Sequence, residues 1–364
     1  MVASGQPPSD ATDSPAQRGA IRRAAPRIIA SLLIAVGFVW VLRQGGLPFS
    51  PPDAALADLK WWGVPAFVLI LLVVAYLRTS RWIYLLRPLA PRLKTWRVFG
   101  AGLVGFAAVF FAPLRLGEVV RPYLITQEGD VTFVEGVGTV AAERIVDGLV
   151  LVLITAVAFT LSTPLSPLPD HVGDLPIPVA LVPRTILVAT IMFSLAFGAM
   201  ALFYFARQPV QRLVRAVLGI VSPRLAESCS RLVERLAGSF AFLPSWQRAA
   251  PFLRNTLLYW LTSGLAQFAL LRGVGLDSSL AEAYVTMGVI GLGSLLPAGP
   301  GFFGAYQLAT YTSLAMYNSE QEVLTNGAMF VFASYVTHLA MNALTGATGL
   351  VLLARVPARD QPAT

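Results

Sequence analysis

Residues 110–122 read FFAPLRLGEVVRP, and this stretch sets two arginines and a glutamate (Arg115, Glu118, Arg121) between two prolines. It directly follows a run apolar enough to lie in lipid. Charges at such a place are costly and need partners, so the reading of this segment decides how the chain is arranged around it.

The rest of the sequence says what kind of chain this is. Of 364 residues, 56% are hydrophobic and 13% charged, against about 25% charged in soluble domains; the mean hydropathy is +0.68. Apolar runs lie at 28–42, 64–86, 136–162, 184–206, 254–272 and 326–354, several of them near the ~20 residues that cross a bilayer core. The composition is that of an all-α, polytopic integral membrane protein. The formal charge of +8 reads as cations flanking spans on the cytoplasmic side, not as a nucleic-acid surface, and no nucleic-acid partner is expected. One cysteine, Cys229, excludes an intrachain disulfide framework, and with only His171 and His338 as histidines no metal site or cofactor is expected.

Charge asymmetry orients the spans. Arg22, Arg23 and Arg27 place the N-terminus in the cytoplasm, and the cluster from Arg78 to Arg97 places the end of the second span there too. The loop 163–183 has no Lys or Arg and belongs outside; 207–254 is arginine-rich and inside, as is the C-terminus with Arg355 and Arg359. Parity then requires 98–126 to enter from the cytoplasm and return to it, turning at Pro113 to Gly117. It likewise requires 283–317 to enter and return from outside, broken at LPAGPGFFG by Pro297, Pro300 and the glycines Gly299, Gly301 and Gly304. The expectation is about six full spans plus two opposed re-entrant hairpins, as an inverted repeat would produce. Paired broken segments of this kind point to a transporter's substrate site.

Residues 1–26 read as a disordered cytoplasmic tail, 27–356 as a single membrane domain, and 357–364 as a C-terminal tail. Within the domain, 207–250 forms a basic amphipathic segment, broken near Ser222–Pro223, that suits a cytoplasmic leaflet; a plain linker is the alternative. Trp40, Trp61, Trp62, Trp82 and Tyr84 read as interfacial anchors.

A second charged group, AAERIVDGL at 141–149, falls ~12–17 Å along the third span if that span starts near 136. The two segments together offer the cations Arg115, Arg121 and Arg144 and the anions Glu118, Glu143 and Asp147. Guanidinium forks match a phosphate, and carboxylates hold such arginines when no ligand is present. One reading is a lipid-phosphate headgroup site open to the cytoplasm; the other is a salt-bridge cluster pinning the hairpin to the next span. Ser334, His338 and Asn342 recur every four residues and give the last span one polar face, suited to helix–helix hydrogen bonds or to a proton relay.

APLRLGEVVRPYLI, then AERIVDGL, then LLPAGPGFFGAYQ, in this order, resemble the flippase-like transmembrane family that includes the membrane half of lysylphosphatidylglycerol synthase. The resemblance runs from about 28 to 354 and falls on Arg115, Gly117, Glu118, Arg121, Arg144, Asp147, Pro297, Pro300, Gly301 and Gly304. It implies a protein that moves a lipid or lipid-linked headgroup between leaflets, in some members beside a glycosyltransferase. The family's soluble synthase domain has no expected counterpart, since about ten residues follow the last span. Where the family's second motif places an acid, this chain has Gln307.

The expected function is therefore that of a non-enzymatic lipid transporter of the cell (plasma or inner) membrane. Its partners would be phospholipid or polyprenyl-phosphate-linked lipid and a separate synthase or glycosyltransferase. Arg115, Arg121 and Arg144 would bind phosphate, and Pro113, Gly117, Pro297, Gly299, Pro300, Gly301 and Gly304 would form gates. A membrane-embedded lipid-phosphate glycosyltransferase and a non-transporting scaffold are the alternatives. No Walker A motif occurs, so ATP hydrolysis is not expected.

Overall fold

A backbone that leaves water must satisfy its own hydrogen bonds, and long apolar runs do so as helices. The computed structural model describes residues 29, 32–48, 50–112, 117–127, 130–177, 179–296 and 298–355. Its helices are α1 (Leu32–Gln44), α2 (Asp53–Ala57), α3 (Gly63–Ser80), α4 (Trp82–Leu86), α5 (Thr95–Phe111), α6 (Gly117–Thr126), α7 (Phe133–Leu161), α8 (Val182–Phe205), α9 (Arg207–Val221), α10 (Pro223–Gly238), α11 (Trp246–Gly273), α12 (Leu280–Gly293), α13 (Ala305–Ala315), α14 (Glu320–Glu322) and α15 (Ala328–Arg355). A two-stranded antiparallel ribbon, β1 (His171–Val172) with β2 (Leu175–Pro176), lies between α7 and α8.

Among the described residues, four helical stretches are long and apolar enough to cross a membrane: Gly63–Leu86, Phe133–Leu161, Val179–Phe205 and Glu320–Arg355. The chain is a polytopic helical membrane protein. The other two expected spans fall on α1, which is short, and on α11, whose apolar run is diluted by Arg254, Asn255 and Gln267.

Small residues set the helix crossings. A Cβ on Gly63 would strike the Gly273 backbone, and the reverse holds, so α3 and α11 touch backbone to backbone. At their other ends Arg81 reaches Thr256, so the two helices run antiparallel. α5 and α6 form an antiparallel hairpin by the same logic: Gly117 lies on the backbone of Ala108 and Val109, and the Arg121 side chain occupies the space a Cβ on Gly105 would take. α12 and α13 form a second helix pair, in contact where Gly293 meets Ala309. Capping boxes start α7 (Thr132 with Glu135) and α12 (Ser279 with Glu282).

α9 and α10 are separate amphipathic helices that meet at Ser222, whose hydroxyl accepts from the Leu225 amide. α9 leaves Leu213, Val217 and Ile220 exposed on one face. One anchor expectation is overturned. Trp82 does not stand at an interface: it is fully buried, and its indole donates to Thr139 Oγ1 at 3.1 Å. Arg81 has helical dihedrals, φ −65° and ψ −27°, so the helical path of α3 continues into α4 and sets Trp82 against α7.

Candidate functional site

Two apolar cores, one around α3, α11, α13 and α15 and one around α4, α5, α7 and the start of α11 with the turn before it, meet at a knot of charge. α7 supplies Glu143 and Asp147, both buried. Glu143 Oε1 and Oε2 accept from Arg121 Nη1 and Nη2 at 3.0 and 2.8 Å, a two-pronged pair that ties α6 to α7. Glu143 Oε1 also accepts from Arg81 Nη2 at 3.2 Å and from Arg144 Nη2 at 2.7 Å. Asp147 takes both prongs of Arg81, Nη2 to Oδ2 at 2.6 Å and Nη1 to Oδ1, and lies 3.6 Å from Arg144. Arg81 completes its donors on Arg78 O and Thr256 Oγ1.

Aromatic rings cover the guanidinium faces. Arg121 lies 4.3 Å from the ring centres of Trp82 and Phe106, and Arg81 stands 4.7 Å over Tyr259. Arg78 is stacked on Phe106 at 3.6 Å. It makes no ion pair among the described residues.

Beside the knot is a cavity of about 530 Å³. Arg78, Arg144, Glu118 and Asp147 line one part of it, while Leu71, Leu103 and Leu151 supply apolar wall. Arg144 is the accessible arginine of the knot: its side chain is 37% exposed, against 0% and 1% for Arg81 and Arg121. The five interlocked groups, Arg81, Arg121, Arg144, Glu143 and Asp147, carry one net positive charge, and Arg78 adds another at the wall. Glu118 lines the cavity without a direct ion pair among the described residues.

The structure thus brings Arg121, Arg144, Glu143 and Asp147 together, with Glu118 nearby. Arg115, Pro113 and Pro297 lie outside the described residues. Gly117 serves the close approach of α6 to α5. In the second break, Pro300 opens a single 3-10 turn, and Gly301 and Gly304 have φ of 70° and 90°, where a side chain would be strained. Gly299 packs on Ala35 and Gly304 on Phe38, both of α1. Gln307 accepts from the Gly304 amide at 2.7 Å, so it caps α13. Ser334, His338 and Asn342 bond to carbonyls of their own helix, Val331, Ser334 and His338 in turn, and His338 and Asn342 face the cavity.

Arg78 and Arg81 were not among the residues expected at the site, because arginines ending an apolar run read as cytoplasmic anchors. Their spacing of three, which puts both on one helical face, was the available signal.

A curated relative, Glycosyltransferase AglD of Haloferax volcanii, is 25% identical over 357 residues, which is 90% of this chain and 55% of that protein. The chain therefore spans about half the length of the curated relative it matches. No solved structure matches it. The family described as Lysylphosphatidylglycerol synthase TM region matches residues 28–341, and those residues hold the whole charge knot and both broken helix pairs: the chain belongs to this family.

Proposed function

We propose that the cavity takes the phosphate headgroup of a membrane lipid and that the protein passes this lipid between leaflets without chemical change. The observation that carries the reading is Arg78, a cation on the cavity wall with no carboxylate partner among the described residues, set beside the partly exposed Arg144. A permanent positive charge at membrane depth is costly unless an anion or water answers it, and guanidinium is suited to phosphate. Arg81 and Arg121, paired with Glu143 and Asp147, hold the knot together; Arg144 and Arg78 meet the headgroup.

The α5–α6 and α12–α13 pairs are read as re-entrant hairpins entering from opposite faces. In support, Phe110, just before the first break, meets Phe302 of the second edge-on at 5.7 Å, and Phe302 lines the cavity. These rings would form the barrier between the two hairpin tips. The basic pair α9–α10 would lie on the cytoplasmic leaflet, with both chain termini on that side.

A second reading draws on the relative named a glycosyltransferase. In it the lipid is a carrier that a separate glycosyltransferase loads or unloads, and this chain is the membrane unit that handles it.

The test is reconstitution into vesicles bearing fluorescent phospholipid or polyprenyl phosphate, with dithionite bleaching of the outer leaflet. Wild type should speed transfer of at least one of these lipids over empty vesicles. Arg78→Gln should lower that rate about tenfold or more while the protein keeps its melting temperature. Unchanged transfer in Arg78→Gln would remove the phosphate role from this arginine, and no transfer of either lipid by wild type would remove the transport reading.

A further inference from the structure

The cavity continues past the arginines to His338, whose half-buried ring forms part of its wall. That ring packs edge-on against Phe67 at 5.5 Å and lies 5.9 Å from the ring of Tyr306, both buried residues. Phe67 and Arg78 belong to the same helix, α3, and stand about 16 Å apart along its axis. His338 therefore lies beyond Arg78, away from the charge knot.

Its hydrogen bond fixes how the imidazole can act. Nδ1 is 2.8 Å from the carbonyl oxygen of Ser334. A carbonyl only accepts, so Nδ1 carries a hydrogen and the neutral ring keeps its lone pair on Nε2. Nε2 has no hydrogen-bond partner among the described residues. The side chains of Ser334 and Asn342 bond backbone carbonyls, not the ring nitrogens. No chain of donors along α15 serves Nε2, which leaves the cavity as its source of protons.

The charges around the ring give this position a use. Arg78 and Arg144 are the fixed cations of the cavity wall among its described residues, and both stand at the knot. A phosphate that leaves them for the rest of the cavity needs another positive group, because its charge is poorly screened where the dielectric is low. On that part of the wall His338 is the residue that can become a cation. Arg78 is the charged group near enough to act on it. The wall's carboxylates, Glu118 on α6 and Asp147 on α7, are at the knot, and the other ionisable groups nearby are the phenols of Tyr259, Tyr306 and Tyr335. An imidazolium here would face Arg78 with no carboxylate between them among the described residues, and an anion completes that arrangement.

We infer that His338 is a second phosphate station, which works as the imidazolium and takes up the lipid phosphate together with a proton. Nε2 gains the proton from cavity water as the phosphate arrives and returns it when the phosphate leaves; no bond of the lipid is made or broken. This rests on the phosphate reading above.

The probe is short-chain phosphatidylmethanol, a phosphodiester whose single charge does not change over the pH range used. Its binding to the full chain in detergent is measured by titration calorimetry at about pH 8 and about pH 5, which bracket the usual histidine value of ~6.5. Proton and anion favour each other at this place, so wild type should bind about tenfold tighter at the lower pH. Titrations between those limits, in two buffers of different ionisation enthalpy, should show protons taken up with the lipid. His338→Gln, and independently His338→Asn, should each bind equally at both pH values and take up no proton, with melting temperature reporting that they are folded. His171→Gln, which changes the exposed histidine of β1, should keep the tenfold ratio. Equal affinity of wild type at the two pH values would overturn the inference while sparing the phosphate reading. A pH ratio that survives in both His338 variants would assign the titration to another group and overturn it as well. Failure of wild type to bind the lipid at either pH would defeat the phosphate site, and the second station with it.

Discussion

Glu143→Gln is the sharpest test of the charge knot. The carboxylate is fully buried and holds three guanidiniums. The amide keeps its shape and removes its charge, leaving Arg81, Arg121 and Arg144 around Asp147 alone. The net positive charge of the five groups rises from one to two in a place that water barely reaches. Breaking a buried pair by removing one partner costs about 3–5 kcal/mol, a large part of the ~5–15 kcal/mol that holds a typical protein folded. At roughly 2 °C per kcal/mol for a chain of this size, the melting point should fall by about 6–10 °C. Tryptophan fluorescence during heating in detergent reads this directly.

The same geometry predicts a rescue. Arg121→Met removes one cation and fills the slot between Trp82 and Phe106 with an apolar chain. Combined with Glu143→Gln it returns the knot to a single excess positive charge, since Arg81 and Arg144 remain with Asp147. The double variant should melt at least about 2 °C above Glu143→Gln, because a buried pair replaced by neutral groups of similar volume is often close to neutral in cost. A drop below about 2 °C for Glu143→Gln, or a double variant no more stable than that single one, would refute the account of Glu143 as the charge holding the three arginines.

Other outcomes follow from particular contacts. Gly117→Ala sets a methyl against the backbone of Ala108 and Val109, which cannot swing aside, and should destabilise by about 3 kcal/mol or more. Gly219→Ala, in open space on α9, should instead stabilise by up to about 1 kcal/mol, and differential scanning of the pair compares them. Between β1 and the preceding loop, the exposed His171 imidazole bonds Asp170 at 2.6 Å; this raises the His171 pKa above the ordinary histidine value and lowers that of Asp170. The contact is therefore complete between the two, is lost as pH rises through the raised histidine value, and is lost again as pH falls through the lowered aspartate value. Histidine-selective NMR, with only two histidines in the chain, should show the His171 titration move down in Asp170→Asn. On a Cys229→Ser background, Gln127→Cys should react with a membrane-impermeant thiol reagent from the cytoplasmic face and Gln321→Cys from the opposite face; any other pattern removes the re-entrant hairpins.

Much of the helical plan was legible in the chain itself, because hydrophobic runs and their breakers act locally. Pro300, Gly301 and Gly304 announce a break that φ values of 70° and 90° then require. Glu143 and Asp147 stood out for an equally local reason: a carboxylate inside an apolar helix is costly wherever the helix goes. The division of labour among the arginines was not legible. Arg121 and Arg144 look alike in sequence, yet one is sealed between two rings and the other lines the cavity.

Sequence alone thus determined the membrane class, the helical character of the chain and the break at Pro300 to Gly304, all of which depend on residue type and spacing along one chain. Only the tertiary structure decided that Arg81 supplies the bridge between Glu143 and Asp147 and that Arg78 is left facing the cavity. The helical path of α3 continues through Arg81, α11 packs on α3 at two glycines, and Arg81 thereby reaches the carboxylates of α7. Partners separated by 62 and 66 residues meet through packing geometry, and no local periodicity encodes it.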